Sequence, residues 1–340
     1  MKTNNTFKHI FAATLLACGC FLNANADDGN VYVYKNGHVM FMDSKSKIDS
    51  IALEENKTKV SFYGSDKTQL YTTLASDIDS IAFDFTAPVA DMLDVKFGED
   101  GSVTDVSPMN NPIETYATTD GENYVESTVP TYYSDEYGRY VAEYHNQMGN
   151  SKLGPNGVYS KMDFASNEDF INKLKDGHTL ETIVRVNEEV PDAESKWFSA
   201  HEAGGTGLMI CKSGKGLNGH NEITFLPYVT LDGNTSKTGW KFCPSGVTPE
   251  VGTFYDVVGV WNKEEGKAYI YINGELVNTV DAAGELHLPN NEAARWFGIG
   301  CDAGPKGGQF GGNWDIVSVK VYDAPLTEYD VKMIYEKSQQ

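Results

Sequence analysis

The side chains in this sequence that could do chemistry are a few acids, one histidine and three cysteines, and their spacing decides which reactions are open. Hydrolysing a glycosidic bond requires two carboxylates, roughly 5 Å apart for a retaining reaction. The candidates stand singly: Glu181 in HTLETIVRV, Glu222 at the head of a β-type run, and Glu264-Glu265 in a turn. His201-Glu202, followed by Ala203-Gly204-Gly205-Thr206-Gly207, could be read as a general base beside a glycine-rich loop. A phosphate cradle of that kind opens a helix, and no helix is signalled here, so the glycines read as a hairpin tip. The sequence has no nucleophile elbow and no His-Glu-x-x-His zinc motif. Cys211, Cys243 and Cys301 match no zinc spacing, and as an odd set they allow at most one intramolecular disulfide. These absences point to a non-catalytic protein.

Binding chemistry is better supplied. Sugar rings are held by aromatic faces with a few polar groups for the hydroxyls. Trp240, Trp314, Tyr228 and Trp197 lie at or near strand ends, and the glycine-rich stretch Gly298 to Asn313 carries Asp302, Gln309 and Asn313. Trp240, Trp314, Tyr228, Asp302 and Asn313 are therefore the candidate ligand-binding residues, while Trp261 and Trp296 are assigned to the core.

The elements that must position them are strands. From about Ala90 to Lys337 the chain is a succession of short β-type runs separated by Gly, Asn, Asp and Pro, the clearest being Tyr140–Tyr144, Thr179–Val186, Gly207–Lys212, Glu222–Leu231, Gly239–Cys243, Phe254–Trp261, Ala268–Ile272, Trp296–Cys301 and Asp315–Tyr322. This pattern predicts an all-β, antiparallel sandwich or barrel. Capping signals predict a short helix after Ser166 through Lys175 and a terminal helix after Thr327 through Lys337, docked by Val331, Ile334 and Tyr335. Ahead of Pro88, the letters IDSIA occur twice, within KIDSIAL (Lys47–Leu53) and DIDSIAF (Asp77–Phe83). Each closes a strand, turn, strand and polar loop, so residues 28–85 read as a small duplicated β-hairpin module whose Ile51 and Ile81 occupy equivalent buried places.

Two lysines, an apolar stretch Ile10–Leu22 and Ala24-Asn25-Ala26 read as a signal peptide over 1–26. Leu15-Leu16-Ala17-Cys18 also resembles a lipobox, which would place a lipid anchor on Cys18. Either route exports the chain to the periplasm, the cell surface or the medium. No apolar run reaches 18 residues, so no transmembrane span is expected. The formal charge of −21 disfavours nucleic acid and anionic membranes as partners.

Four segments carry a family resemblance, one of them DGSVTDVS (Asp100–Ser107), which resembles the family's opening. FYDVVGVWNKEEGKAYIYINGELVNTV (Phe254–Val280) resembles the central hairpin of laminin-G-like, concanavalin A-type lectin and glucanase jelly rolls. GGNWDIVSVKVYDAPLTEYDVKMIYEK (Gly311–Lys337) is similar to their closing segment, and HTLETIVRV to an early core strand. The resemblance implies a jelly-roll β-sandwich over 90–337 with a short C-terminal helix, and a glycan or a surface protein as partner. Glucanases of this type carry Glu-x-Asp-x-x-Glu on one strand, which no strand here shows, so a glycoside hydrolase is the distant alternative. Calcium in an edge loop is also implied, with Asp302 and Asp256 as the available carboxylates, although no Asp-x-Asp-x-Asp-Gly loop is present. The architecture is similar to that of exported surface proteins of Gram-negative gut bacteria, and Asp-Ser-Ile resembles an O-glycosylation acceptor, which would mark Ser50 and Ser80; a repeated structural strand explains the same letters.

Overall fold

The computed structural model describes residues 29–339 except 121–122, 190–193, 202–203, 212–220 and 232–238. The expected signal peptide and Cys18 lie outside the described residues. The chain divides into two compact units at Pro88 and Val89.

The first unit holds six strands: β1 (Asn30–Lys35), β2 (His38–Ser44), β3 (Ser50–Glu54), β4 (Lys59–Tyr63), β5 (Gln69–Leu74) and β6 (Ser80–Ala82). Asn36 and Gly37 both take positive φ (53° and 83°), as a two-residue hairpin turn that matches strand twist requires. The two repeats are not self-contained hairpin units, as the duplication suggests, but interleaved. Strand β6 of the second repeat joins β1 and β2 of the first, and β3 of the first joins β4 and β5 of the second. The registers correspond: Ser80, Ile81 and Ala82 face Tyr34, Val33 and Tyr32, while Ser50, Ile51 and Ala52 face Tyr63, Phe62 and Ser61. Asp79 N donates to Tyr34 O and Asp49 N to Tyr63 O, both at 2.8 Å. The two sheets bury Val31, Val33, Phe41, Val60 and Phe62 between them. The deeply buried repeat residues are Ile48 and Ile78, one turn of polypeptide earlier than expected; Ile51 and Ile81 are only half-buried against that core.

The second unit is an antiparallel jelly-roll β-sandwich with a short C-terminal helix. One sheet has eight strands in the order Tyr124–Glu126, Ile113–Thr118, Val158–Asp163, Trp296–Ile299, Ser195–Ala200, Thr206–Cys211, Glu222–Phe225, Cys243–Pro244. The other has nine. Its main path runs Thr131–Ser134, Arg139–His145, Asn313–Tyr322, His178–Val186, Phe254–Asn262, Lys267–Ile272, Glu275–Asp281, and Leu93–Phe97 and Val103–Asp105 are attached at its side. The inner faces interdigitate: Met162, Phe198, Phe225 and Phe297 from one sheet meet Leu180, Val257, Trp261, Trp314 and Val319 from the other. Burying side chains of this size contributes roughly 1.5–3 kcal/mol each. Asn167 caps the helix Glu168–Asp176, and Thr327 and Asp330 form a reciprocal capping box on Glu328–Ser338. The latter docks by Val331 and Ile334 onto Ala90, Val258, Tyr271 and Tyr322, as its stripe predicts.

Candidate functional site

The strand Val158–Asp163 reads VYSKMD. Val158, Ser160 and Met162 point into the sandwich, so Tyr159, Lys161 and Asp163 point outward. In register on one side, Tyr116 lies opposite Tyr159. On the other side, Trp296 lies opposite Asp163 and Gly298 opposite Lys161, and the absent side chain at Gly298 lets the Cys301–Asp302 backbone pack close. Over this row passes the stretch Gly304–Gly307. Together they enclose an open cleft of about 320 Å³, lined by Tyr116, Tyr159, Lys161, Asp163, Trp296 and residues 304–307, Lys306 among them, at the small end of the range for ligand sites.

Its walls are preorganised. Tyr116 and Tyr159 stack with centroids 5.5 Å apart, Tyr124 meets Tyr159 edge-on at 5.1 Å, and Trp296 tilts against Tyr159 at 5.5 Å. The Lys161 ammonium lies 5.8 Å from the Trp296 ring and 2.9 Å from Asp163 Oδ2. Asp163 Oδ1 also accepts from Ala165 N at 2.9 Å, so a paired donor and acceptor stand side by side next to Tyr116 and the largely buried Trp296, groups that sugar hydroxyls can meet. The Tyr116 hydroxyl donates to Glu114 at 2.7 Å, and that bond, with some burial, raises its pKa to about 12. It stays a neutral phenol throughout the physiological range.

The roof is nailed down by Asp302. Its backbone exchanges two hydrogen bonds with Gln309, at 2.7 and 3.0 Å. Its fully buried carboxylate receives Lys196 Nζ at 2.6 Å, Ser199 Oγ at 2.7 Å and His201 N at 2.9 Å. Burial disfavours the Lys196 ammonium, but Asp302 and Glu194 outweigh it and its pKa is raised. Trp296 Nε1 and Gln309 Nε2 bond the carbonyls of Gly304 and Ala303. The 303–308 segment is thus a shaped wall.

The residues expected to bind ligand are not gathered in one place. Trp314 is fully buried, its indole N–H donating to Lys196 O at 3.1 Å and its ring meeting Trp197 edge-on, so it belongs to the core. Asp302 supports the roof from within. Asn313 accepts from Asn187 at 3.4 Å and lies 3.1 Å from His145 Nδ1 on the nine-stranded sheet. Trp240 and Tyr228 pair at 5.0 Å, and Trp240 meets the buried His201 at 4.1 Å. Burial, reinforced by Lys196, lowers the His201 pKa well below the usual value, which leaves a neutral imidazole. Trp296, by contrast, is buried as expected yet lines the cleft. Tyr116, Lys161 and Asp163 belong to no motif in the sequence; the only local sign is the alternation in VYSKMD, which marks an outward row of Tyr159, Lys161 and Asp163.

The two carboxylates expected for calcium stand apart: Asp302 is filled by donors and Asp256 sits on the other sheet, and among the described residues no three His, Cys, Asp or Glu side chains converge as metal ligands. Cys211, Cys243 and Cys301 are buried and outside any disulfide. The isolated acids are engaged as well. Glu181 accepts from Lys320 Nζ at 2.6 Å and from the Tyr322 hydroxyl, and Glu222 accepts from Gly246 N at 3.1 Å.

Comparison with known proteins agrees with this architecture. No curated sequence matches the chain. Among solved structures, the binding domain of Paraclostridial Mosquitocidal Protein 1 superposes with a TM-score of 0.50 at 11% identity over 72% of this chain and 52% of that one. The binding domain of Botulinum Neurotoxin DC in complex with SialylT gives 0.50 at 12% identity over 74% and 52%. Domain 4 of AbnA, an extracellular arabinanase from Geobacillus stearothermophilus, solved in complex with arabinotriose, gives 0.47 at 14% over 73% and 98%. At these identities the likeness is one of fold, and the match spans about half the length of the two toxin chains. The concanavalin A-like lectin/glucanases profile of laminin-G type matches residues 156–332, more than half of the sequence, and the chain belongs to that superfamily.

Proposed function

We propose that this chain is an exported, non-catalytic glycan-recognition protein whose jelly-roll unit holds a sugar in the cleft on the outer face of the eight-stranded sheet. One observation carries the reading: Lys161 and Asp163 stand as adjacent donor and acceptor beside Tyr116 and Trp296 under the 304–307 stretch. That combination suits a polyhydroxylated ring with an apolar face. The toxin binding domain solved with SialylT shares the fold and lends support from outside. A non-catalytic role is supported by the engagement of Glu181 and Glu222, the acids that the sequence offers for hydrolysis, in bonds away from the cleft.

Glycan-array screening of the full chain, with and without calcium, tests this. The expected result is retention of a defined glycan class, independent of calcium and lost in Tyr116→Ala. If no glycan is retained while a pull-down returns a protein partner, the module is an adhesion or assembly surface. If a polysaccharide is hydrolysed and Glu181→Gln or Glu222→Gln abolishes the activity, it is an enzyme.

A further inference from the structure

The N-terminal unit recognises the same pentapeptide twice. Beside β1 sits the IDSIA strand of the second repeat, and beside β4 sits that of the first, in matching registers and with the same Asp N–H to Tyr carbonyl bond at each strand start. Neither sheet has a third strand from its own repeat. The first repeat is therefore completed only by the second, and nothing in the pairing distinguishes the second repeat of this chain from that of another copy.

The link between the repeats is four residues, 55–58. It is closed by Thr58 N donating to Glu54 O at 3.1 Å and by Ala75 N donating to Thr58 O at 2.8 Å. Within it Asn56 and Lys57 are consecutive left-handed residues, with φ of 59° and 71°. Asparagine tolerates that region, whereas lysine enters it at a cost. A short link under strain between two mutually dependent halves is the arrangement that favours exchange between chains, because the exchanged form keeps every sheet contact and releases the turn.

We infer that two copies of this chain can exchange repeats through an opened 55–58 link, so that β1, β2 and β3 of one copy pair with β6, β4 and β5 of the other. The partner is a second copy of the chain, recognised by strand addition at the IDSIA slots. Intramolecular closure holds the advantage of effective concentration, so the exchanged dimer grows with protein concentration.

The test uses the full exported chain. Val33 and Ile81 are register partners on β1 and β6. Val33→Cys and Ile81→Cys are made separately, mixed, concentrated and oxidised, and exchange yields a disulfide-linked dimer of the two variants, absent when either is oxidised alone. Because Val33 is buried, the Ser50→Cys and Tyr63→Cys pair on β3 and β4 serves as a second reporter. Replacing Asn56 and Lys57 by glycine relieves the turn and is expected to lower the dimer fraction at least threefold in light scattering, while deleting both residues drives the chain to dimer. A cross-linked species in neither pair, or a deletion variant that remains a folded monomer, would overturn the inference.

Discussion

The two outer faces of the sandwich both carry charged side chains and use them in opposite ways. On the nine-stranded sheet, Glu181, Asp256 and Tyr322 are buried, and Glu181 accepts from both Tyr322 and the half-buried Lys320. On the eight-stranded sheet, Lys161 and Asp163 flank an aromatic row and remain reachable from solvent. Fold alone gives either face a claim to function. What separates them is burial, since the Glu181 side chain is 2% exposed and that of Asp163 50%, so the cluster drawn into the protein is the structural one.

The largest expected effect breaks the closed face. Glu181→Ala leaves the Lys320 ammonium without its carboxylate and should cost about 3 kcal/mol in urea unfolding, while the folded fraction keeps its glycan. A loss below about 1 kcal/mol, within the usual worth of an exposed pair, would show that this face is not a closed charge cluster. Next, Tyr116→Ala opens the aromatic floor of the other face. Glycan affinity should fall at least tenfold, about 1.4 kcal/mol, with little change in the unfolding midpoint, because Tyr116 is only partly buried.

A third change sharpens the contrast through pH. Burial first, and the neighbouring Glu181 charge second, push the Asp256 carboxyl well above its ordinary value, and its Oδ1 is buried without a hydrogen-bond partner. Its folded pKa lies above its unfolded one, so it favours the fold below the ordinary aspartate range and loses that contribution as pH rises through the raised value. Asp256→Asn, neutral at every pH, should stabilise the protein by about 1 kcal/mol at pH 8 and progressively less toward pH 4. Parallel pH profiles that never converge would refute the assignment. The smallest effects concern groups away from the cleft: Trp240→Ala and addition of a calcium chelator should leave glycan affinity within about twofold, read by titration.

Much of the fold is legible in the sequence because it is written in local rules. The caps at Asn167 and Thr327, the Asn36-Gly37 turn and the strand Phe254–Asn262 follow from residue types and period. The site is less legible. Gly298 to Asn313 does mark the loop over the cleft, but loops have no period from which facing can be read. Asp302 turns inward to a buried Lys196 that lies 106 residues away in sequence, a pairing no local pattern reveals, and Lys161 and Asp163 look in sequence like ordinary solvated charges on an outward strand face. Trp314 shows the converse: strand-end position does not reveal that the loop beside it closes over the ring. The interleaving of the repeats is hidden too, since duplication fixes the parts and not which copy each strand completes.

The central claim, that sugar binds on the open face, is tested most directly by titrating the labelled chain with a glycan retained on the array and following backbone and aromatic resonances. The account predicts shifts confined to Tyr116, Tyr159, Lys161, Asp163, Trp296 and the Gly304–Gly307 amides, with Glu181, Asp256 and Trp240 unmoved. Shifts centred on Trp240 and Tyr228, or on the nine-stranded sheet, would contradict it.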